Sequence, residues 1–260
     1  MSETLGHCPN WQKVLLTTPP ILEADEVHIW WLPLTLTAQQ SEEALGLLSE
    51  LQRDKYHRRA TQDLKHAYLA GRYYLLHLLG AYSKQSAKEV QLSYSRLNKP
   101  RLSDPKLDID FNYTDTYGTH HSVGVFAFSK GRSLGVDIES RARDIDVRKI
   151  VEKRFSKQEQ AFVRAAGGVN RERALSIWTR KEAYGKATGN GINFKMNAEN
   201  LVYSDTQNIA GESNFSFAFN DSADQPWRCE QFQLGDEFIA CVVHAGHQKL
   251  TFKTFDSLIT

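Results

Sequence analysis

Between residues 134 and 139 the chain alternates strictly: Leu134, Val136 and Ile138 are apolar, while Gly135, Asp137 and Glu139 are small or acidic. A period of two is that of a strand with one face in the core, so Asp137 and Glu139 share the other face. Two carboxylates side by side repel each other unless something cationic lies between them. A magnesium ion suits such a pair, because it takes oxygen ligands, uses one or two carboxylates and leaves positions for water and phosphate. The plainer reading of a lone D-x-E pattern is a solvated strand face.

A second signal follows about forty residues on, in Trp178-Thr179-Arg180-Lys181-Glu182-Ala183-Tyr184-Gly185-Lys186. Asn170 is suited to open a helix and Gly189 to close it. Inside that helix Glu182 and Lys186 are four residues apart and share a face, with Lys181 adjacent. The plain alternative is an intrahelical ion pair with a contribution of only ~0.2–0.5 kcal/mol. Together the two segments supply three carboxylates for a hard cation and two lysines for phosphate, the equipment of phosphoryl-type transfer.

Around these segments, strand-like and helix-like runs are bunched rather than strictly alternating, which predicts an α+β fold of layered sheet and helix. A strand is expected at 27–34. One helix should run from the Thr37-x-x-Gln40 capping signal to about residue 59, and a second over 65–82. Short strands are expected near 90–95, 108–113 and 122–129. Beyond the 134–139 strand, helices are expected at 147–154, 157–166 and 171–188. Strands return near 201–204, 214–219, 227–234 and 237–244. This order reads as two similar halves, residues 1–130 and 131–260, meeting near Lys130-Gly131-Arg132, with no visible sequence repeat. The aromatics Trp30, Trp31, Phe126, Phe128 and Trp178 are expected in the core or between the halves.

With 41% hydrophobic residues in 260, the chain can bury a substantial core. No apolar run is long enough to cross a membrane, and the first residues lack a signal-peptide pattern. Cys8, Cys229 and Cys241 are scattered, which argues against a disulfide framework or a zinc site and suits a reducing cytoplasm. A net charge of +1 is far from the basic excess of a nucleic-acid binder. The basic run from Arg53 to Arg59 reads as a solvated helix face, although one small polyanion needs no larger patch.

The two segments resemble the paired signatures of the 4′-phosphopantetheinyl transferase superfamily, G-[VI]-D-[IVL]-E and W-[ST]-x-K-E-[AS]-x-x-K, at a similar spacing. Arg154-Phe155-Ser156-Lys157-Gln158-Glu159 resembles that family's R-F-F-[ST]-x-x-E. Asn98-Lys99-Pro100 resembles G-K-P, Phe111-Asn112-Tyr113-Thr114-Asp115-Thr116 resembles F-N-[LIV]-[ST]-H-[ST], and Ala70-Gly71-Arg72 fits a G-R on the long helix. The likeness runs from about residue 47 to 196. Its breadth and the chain length point to the larger, surfactin-synthetase-activating (Sfp-type) branch.

The resemblance implies transfer of the phosphopantetheine arm of coenzyme A to a serine of an acyl or peptidyl carrier protein, with release of adenosine 3′,5′-bisphosphate. It implies a pseudo-twofold pair of α/β halves with the active site in the cleft between them, in a monomer. Asp137, Glu139 and Glu182 would bind magnesium. Lys186 and Lys181 would face the phosphates, Lys99 and Thr114 would touch coenzyme A, and Arg72, Lys55 and Arg58 are further phosphate candidates. A serine hydroxyl needs a base, and Glu182 or Glu159 would serve. Ser156-x-x-Glu159 is also a capping box, the structural alternative for Glu159.

One departure stands out: Asp115 occupies the place of a family histidine that contacts a phosphate of coenzyme A. An aspartate there repels an anion unless protonated, bridged or turned away. His120 and His121 read as an exposed turn pair. Exposed hydrophobics near Phe155 and Phe162 are expected to dock a helix of the carrier protein. The alternative to the enzyme is a non-catalytic relative that binds coenzyme A or a carrier protein. The four residues Asp137, Glu139, Glu182 and Lys186 argue for the enzyme.

Overall fold

The computed structural model describes residues 10–165, 168–191, 196–202 and 215–257. In chain order the elements are β1 (Gln12–Val14), β2 (Glu26–Pro33), α1 (Ala38–Leu47), α2 (Glu50–His57), α3 (Gln62–Ser83), β3 (Leu92–Tyr94), β4 (Pro100–Leu102), β5 (Ile109–Tyr117) and β6 (Ser122–Lys130). There follow β7 (Leu134–Ser140), α4 (Val147–Arg154), α5 (Lys157–Val163), β8 (Arg164–Ala165), β9 (Gly168–Val169), α6 (Arg171–Thr188), β10 (Ser216–Asn220), β11 (Pro226–Leu234), β12 (Phe238–Ala245) and β13 (Thr251–Ser257). The fold is α+β.

Two larger sheets carry it, ordered β1-β13-β2-β6-β5 and β10-β11-β12-β7. The first is mixed, because β13 runs parallel to both β1 and β2. The second is antiparallel throughout. The last strand of the chain thus completes the sheet formed by the first half. That pairing was invisible to a reading of neighbouring segments, because β13 and β2 lie at opposite ends of the sequence.

Alternation explains how the layers stack. Val27 and Ile29 of β2, with Val125 and Ala127 of β6, meet Val136 and Ile138 of β7 and Ala240 and Val242 of β12 in one core between the sheets. The opposite residues of the first sheet, Trp30, Leu32, Phe126 and Phe128, pack on α3 through Leu69, Ala70, Tyr74 and Leu78. Cys229, Cys241 and Val243 line the outer face of the second sheet and pack against Ala183, Tyr184 and Ala187 of α6. Each such large aliphatic side chain contributes about 1.5–3 kcal/mol on burial. The thiols of Cys229 and Cys241, on the adjacent strands β11 and β12, come to 3.4 Å there without a disulfide; Cys8 lies outside the described residues.

Where one helix is expected up to residue 59, two are found. Ser49 caps α2 with its hydroxyl on the Gln52 amide, and the Gln52 side chain returns to the Ser49 amide. This second capping box repeats that of Thr37 and Gln40 at α1. It starts a new helix because Leu48 is extended there. The helix expected at 157–166 stops at Val163, because Arg164 is extended and pairs in β8; the others agree closely, with Asn170 capping α6 and Gly189 ending it at φ 72°. The strand expected at 201–204 is absent at Leu201 and Val202; its other half, and residue 214 of the next strand, lie outside the described residues.

His244 on β12 is fully buried, and burial lowers its pKa to about 4. Its Nδ1 meets the Ala245 carbonyl, while Nε2 has no partner among the described residues. The unfolded chain therefore takes up a proton near pH 6.5 that the native state refuses until about pH 4. Stability should fall across that window by about 3 kcal/mol on this account. Urea unfolding of His244→Phe at pH 7 and pH 4.5 checks it: the variant should lose less stability on acidification than the parent.

Candidate active site at the facing edges of two sheets

The reactive residues gather where edge strand β5 of the first sheet lies beside edge strand β7 of the second. The two strands do not pair by their backbones. Instead Asn112 on β5 accepts the Val136 amide of β7 through its side-chain oxygen, at 2.9 Å. Thr114, two residues on and on the same face, donates its hydroxyl to Asp137 Oδ1 at 3.2 Å. The F-N-x-T pattern therefore does a definite job: its polar residues lace the two sheets together.

From the other side α6 lies directly on β7. A methyl group built at Gly135 would fall 2.2 Å from the Ala183 carbonyl oxygen and 2.3 Å from the Ala187 nitrogen, so only glycine allows the contact. That approach covers the face expected to be solvated; every residue of β7 is buried. It also lets Lys186 reach across to β7. Its ammonium donates to Asp137 Oδ1 at 2.7 Å, to Thr114 Oγ1 at 2.8 Å and to the Val136 carbonyl at 3.1 Å. Glu182 is one turn back on α6.

The carboxylates differ in how they are held. Glu139 accepts both its contacts with Arg143 Nη1, at 2.9 and 2.8 Å, and a hydrogen bond from Trp178 Nε1 at 2.9 Å. Trp178 in the second signature is thus a donor to the acid of the first. Asp137 Oδ2 and Glu182 Oε1 are buried without a hydrogen-bond partner among the described residues. Burial raises the pKa of Asp137 to about 6, against the nearby Lys186 and with Glu139 adding to it. Burial likewise raises that of Glu182 to about 7, with Asp137 adding to the effect and Lys186 opposing it.

Two buried carboxylates with unanswered oxygens and raised proton affinity are short of positive charge. Their hard oxygen donors fit a divalent cation such as magnesium. Among the described residues no three acidic, histidine or cysteine side chains are gathered closely enough to make a ready-formed metal centre. Glu139 is drawn toward Arg143 and Asp137 toward Lys186.

Other predicted residues sit apart from this group. Glu159 is fully buried: Oε2 accepts the Ser156 amide at 2.7 Å and Lys181 at 2.8 Å, and Oε1 accepts the Leu201 amide at 2.9 Å. It is the third residue of a complete capping box at α5. Lys181 points the same way, adding a bond to the Glu199 carbonyl at 2.8 Å. These two residues form a buried ion pair that holds the chain after α6. Neither is brought to the Asp137 carboxylate, since α6 turns Lys181 away from the face of Lys186. Lys99 is buried among backbone carbonyls.

Arg72 follows Gly71 on α3, where a methyl group would strike the Tyr113 hydroxyl at 2.1 Å. The arginine lies over the rings of Tyr68 and Tyr113, at 5.5 and 5.8 Å, and its buried Nε has no partner among the described residues. Arg59 covers Tyr68 at 5.0 Å. Lys55 and Arg58 stay exposed around the end of α2, Arg58 at 3.6 Å from Asp54. Asp115, His120 and His121 are exposed.

The docking surface expected around Phe155 and Phe162 does not include Phe155. Phe155 is 2% exposed, packed with Val151, Val163, Ala174 and Ile177. Phe162 is half-buried under the Arg173 guanidinium at 5.1 Å. Arg143 and Asn112, in contrast, were missed as site residues. Arg143 lies four residues beyond Glu139 in a stretch that is not helical, so spacing gave no hint. Asn112 stood in a recognised segment, and only the sheet-to-sheet contact reveals its work.

Residues 133–243 match the sequence model of the 4′-phosphopantetheinyl transferase superfamily. The chain is 27% identical over 184 residues to the 4′-phosphopantetheinyl transferase HetI of Nostoc sp., spanning 70% of this chain and 77% of that one. It is 27% identical over 194 residues to a putative 4′-phosphopantetheinyl transferase of Synechocystis sp., spanning 72% and 76%. The matched segment contains β7 and α6, the elements that carry Asp137, Glu139, Glu182 and Lys186. Residues 133–243 thus carry a domain similar to the 4′-phosphopantetheinyl transferase superfamily.

Proposed function

We propose that this protein transfers the 4′-phosphopantetheine group of coenzyme A to a serine hydroxyl of an acyl or peptidyl carrier protein, releasing adenosine 3′,5′-bisphosphate. The observation that carries the reading is the pair of buried, unanswered oxygens on Asp137 and Glu182 beside the Lys186 ammonium. Asp137, Glu139 and Glu182 would hold magnesium, which when bound neutralises charge on phosphate oxygens. Lys186 and Thr114 orient the pyrophosphate, and Arg72, with Lys55 and Arg58, attracts the remaining phosphate.

The serine oxygen attacks the phosphorus that bears the pantetheine arm. The bond from that phosphorus to the oxygen shared with the nucleotide breaks, and the electron pair leaves with the bisphosphate. The serine proton passes to Glu182, a buried carboxylate whose Oε1 has no partner among the described residues. Glu159, with both oxygens committed, leaves that role to Glu182. The partition at residue 130, a monomer, a cytoplasmic setting and membership of the Sfp-type branch belong to the same proposal. Among the described residues no helix is long and apolar enough to cross a membrane.

Purified protein incubated with coenzyme A, magnesium and a panel of apo carrier proteins should add a phosphopantetheine-sized mass to a carrier, and EDTA should abolish the gain. Coenzyme A binding with no gain on any carrier would favour the non-catalytic relative.

A further inference from the structure

Lys99 lies on the turn between β3 and β4 and is 6% exposed. The turn is tight: Asn98 adopts φ 65°, a conformation that glycine and asparagine tolerate best, so asparagine can stand where a glycine is expected. The lysine stem passes Gly189, the residue that ends α6, with Cδ 3.7 Å from where a methyl group would sit. Its ammonium then donates to the Leu134 carbonyl at 2.9 Å, the Ala187 carbonyl at 3.2 Å and Ser133 Oγ at 3.3 Å. Asp110 is the counter-charge at 3.4 Å. An ammonium has three donors, and these contacts use them all.

The two carbonyls belong to the two halves of the reactive centre. Leu134 begins β7, which carries Asp137 and Glu139. Ala187 is in the last turn of α6, next to Lys186, where carbonyls have no partner within the helix and a cation is favoured. Ser133 strengthens the joint by donating its own hydroxyl to the Ala187 carbonyl at 2.8 Å. Gly135 leaves no slack between helix and strand at the same place. One side chain thus clamps the strand bearing the acids to the end of the helix bearing the lysine and Glu182.

We infer that Lys99 is a positioning residue: it sets the placement of Lys186 and Glu182 against Asp137 and does not hold the nucleotide. The inference rests on the transferase reading above. In the Lys99→Met variant, kcat for transfer to an apo carrier should fall on the order of 10²-fold, the cost of a small misplacement of reacting groups. The KM for coenzyme A, and its Kd by calorimetry, should stay within about twofold of the parent, since a positioning residue changes the reaction step rather than ground-state binding. Ser133→Ala, which weakens the same joint with no loss of charge, should lower kcat several-fold with KM unchanged, and it stands in if Lys99→Met does not fold.

A rise in KM and Kd with kcat preserved in Lys99→Met would make the lysine a ligand contact and overturn the inference. So would wild-type kinetics in either variant, or a lower melting temperature with no change in kcat. A parent protein that modifies no carrier would instead sink the transferase reading. The calorimetric comparison of parent and variant would then still decide whether Lys99 binds coenzyme A.

Discussion

Glu182→Gln should abolish transfer and raise the melting temperature at neutral pH. The two effects come from the same buried carboxyl. Its pKa stands at about 7 in the native protein and 4.5 in its ordinary state, raised first by burial and then by Asp137. A native state that holds its proton more tightly is most stable below the ordinary pKa, and it loses that advantage as pH rises through the native one. Between pH 4.5 and 7, therefore, ionising Glu182 costs the metal-free protein stability, by at most about 3 kcal/mol.

Glutamine keeps the shape and removes the charge, so the cost disappears at pH 7.5. On the proposed mechanism transfer requires the opposite: a negative oxygen to take the serine proton and to help hold magnesium. Its loss should lower kcat at least on the order of 10²-fold. Asp137→Ala should abolish transfer for the same reason and leave the fold intact. Differential scanning calorimetry with intact-mass assays checks both. Added magnesium should raise the melting temperature of the parent and do less for Glu182→Gln. Parent-like turnover in Glu182→Gln would overturn the assignment.

Much of this centre was legible in the sequence because it depends on local rules. Period two put Asp137 and Glu139 on one face, and period 3.6 put Glu182 and Lys186 on one face. The caps Asn170 and Gly189 bounded the helix that presents them. What was not legible is which face of α6 turns toward β7. Lys181 and Lys186 look equally suited to phosphate in sequence, yet they diverge because Gly135 brings the Ala183–Ala187 side of the helix onto the strand. The same limit explains Asn112, whose partner is an amide in another sheet, and β13, whose partners lie at the other end of the chain. The Ser49 capping box was visible in principle, but the leucine-rich run from Leu45 to Leu51 continues across it and concealed the break.

Lys181 offers the sharpest contrast between motif and geometry, and substituting it should affect stability rather than substrate binding. Its ammonium is 1% exposed and sits at 2.8 Å from Glu159, which is itself wholly buried. Burial lowers the lysine pKa, and Glu159 opposes that shift. Removing one member of such a pair leaves the other charge buried and unanswered, at a cost of about 3–5 kcal/mol. Lys181→Met should therefore lower the melting temperature by roughly 10 °C. The KM for coenzyme A should stay near that of the parent at a temperature where the variant is folded. Adding Glu159→Gln neutralises the stranded carboxylate while keeping an acceptor for the Leu201 amide, so the double variant should recover part of the loss. A Lys181→Met protein with unchanged thermal stability and a KM raised tenfold would restore the lysine to the phosphates, and would require α6 to lie on β7 by a different face.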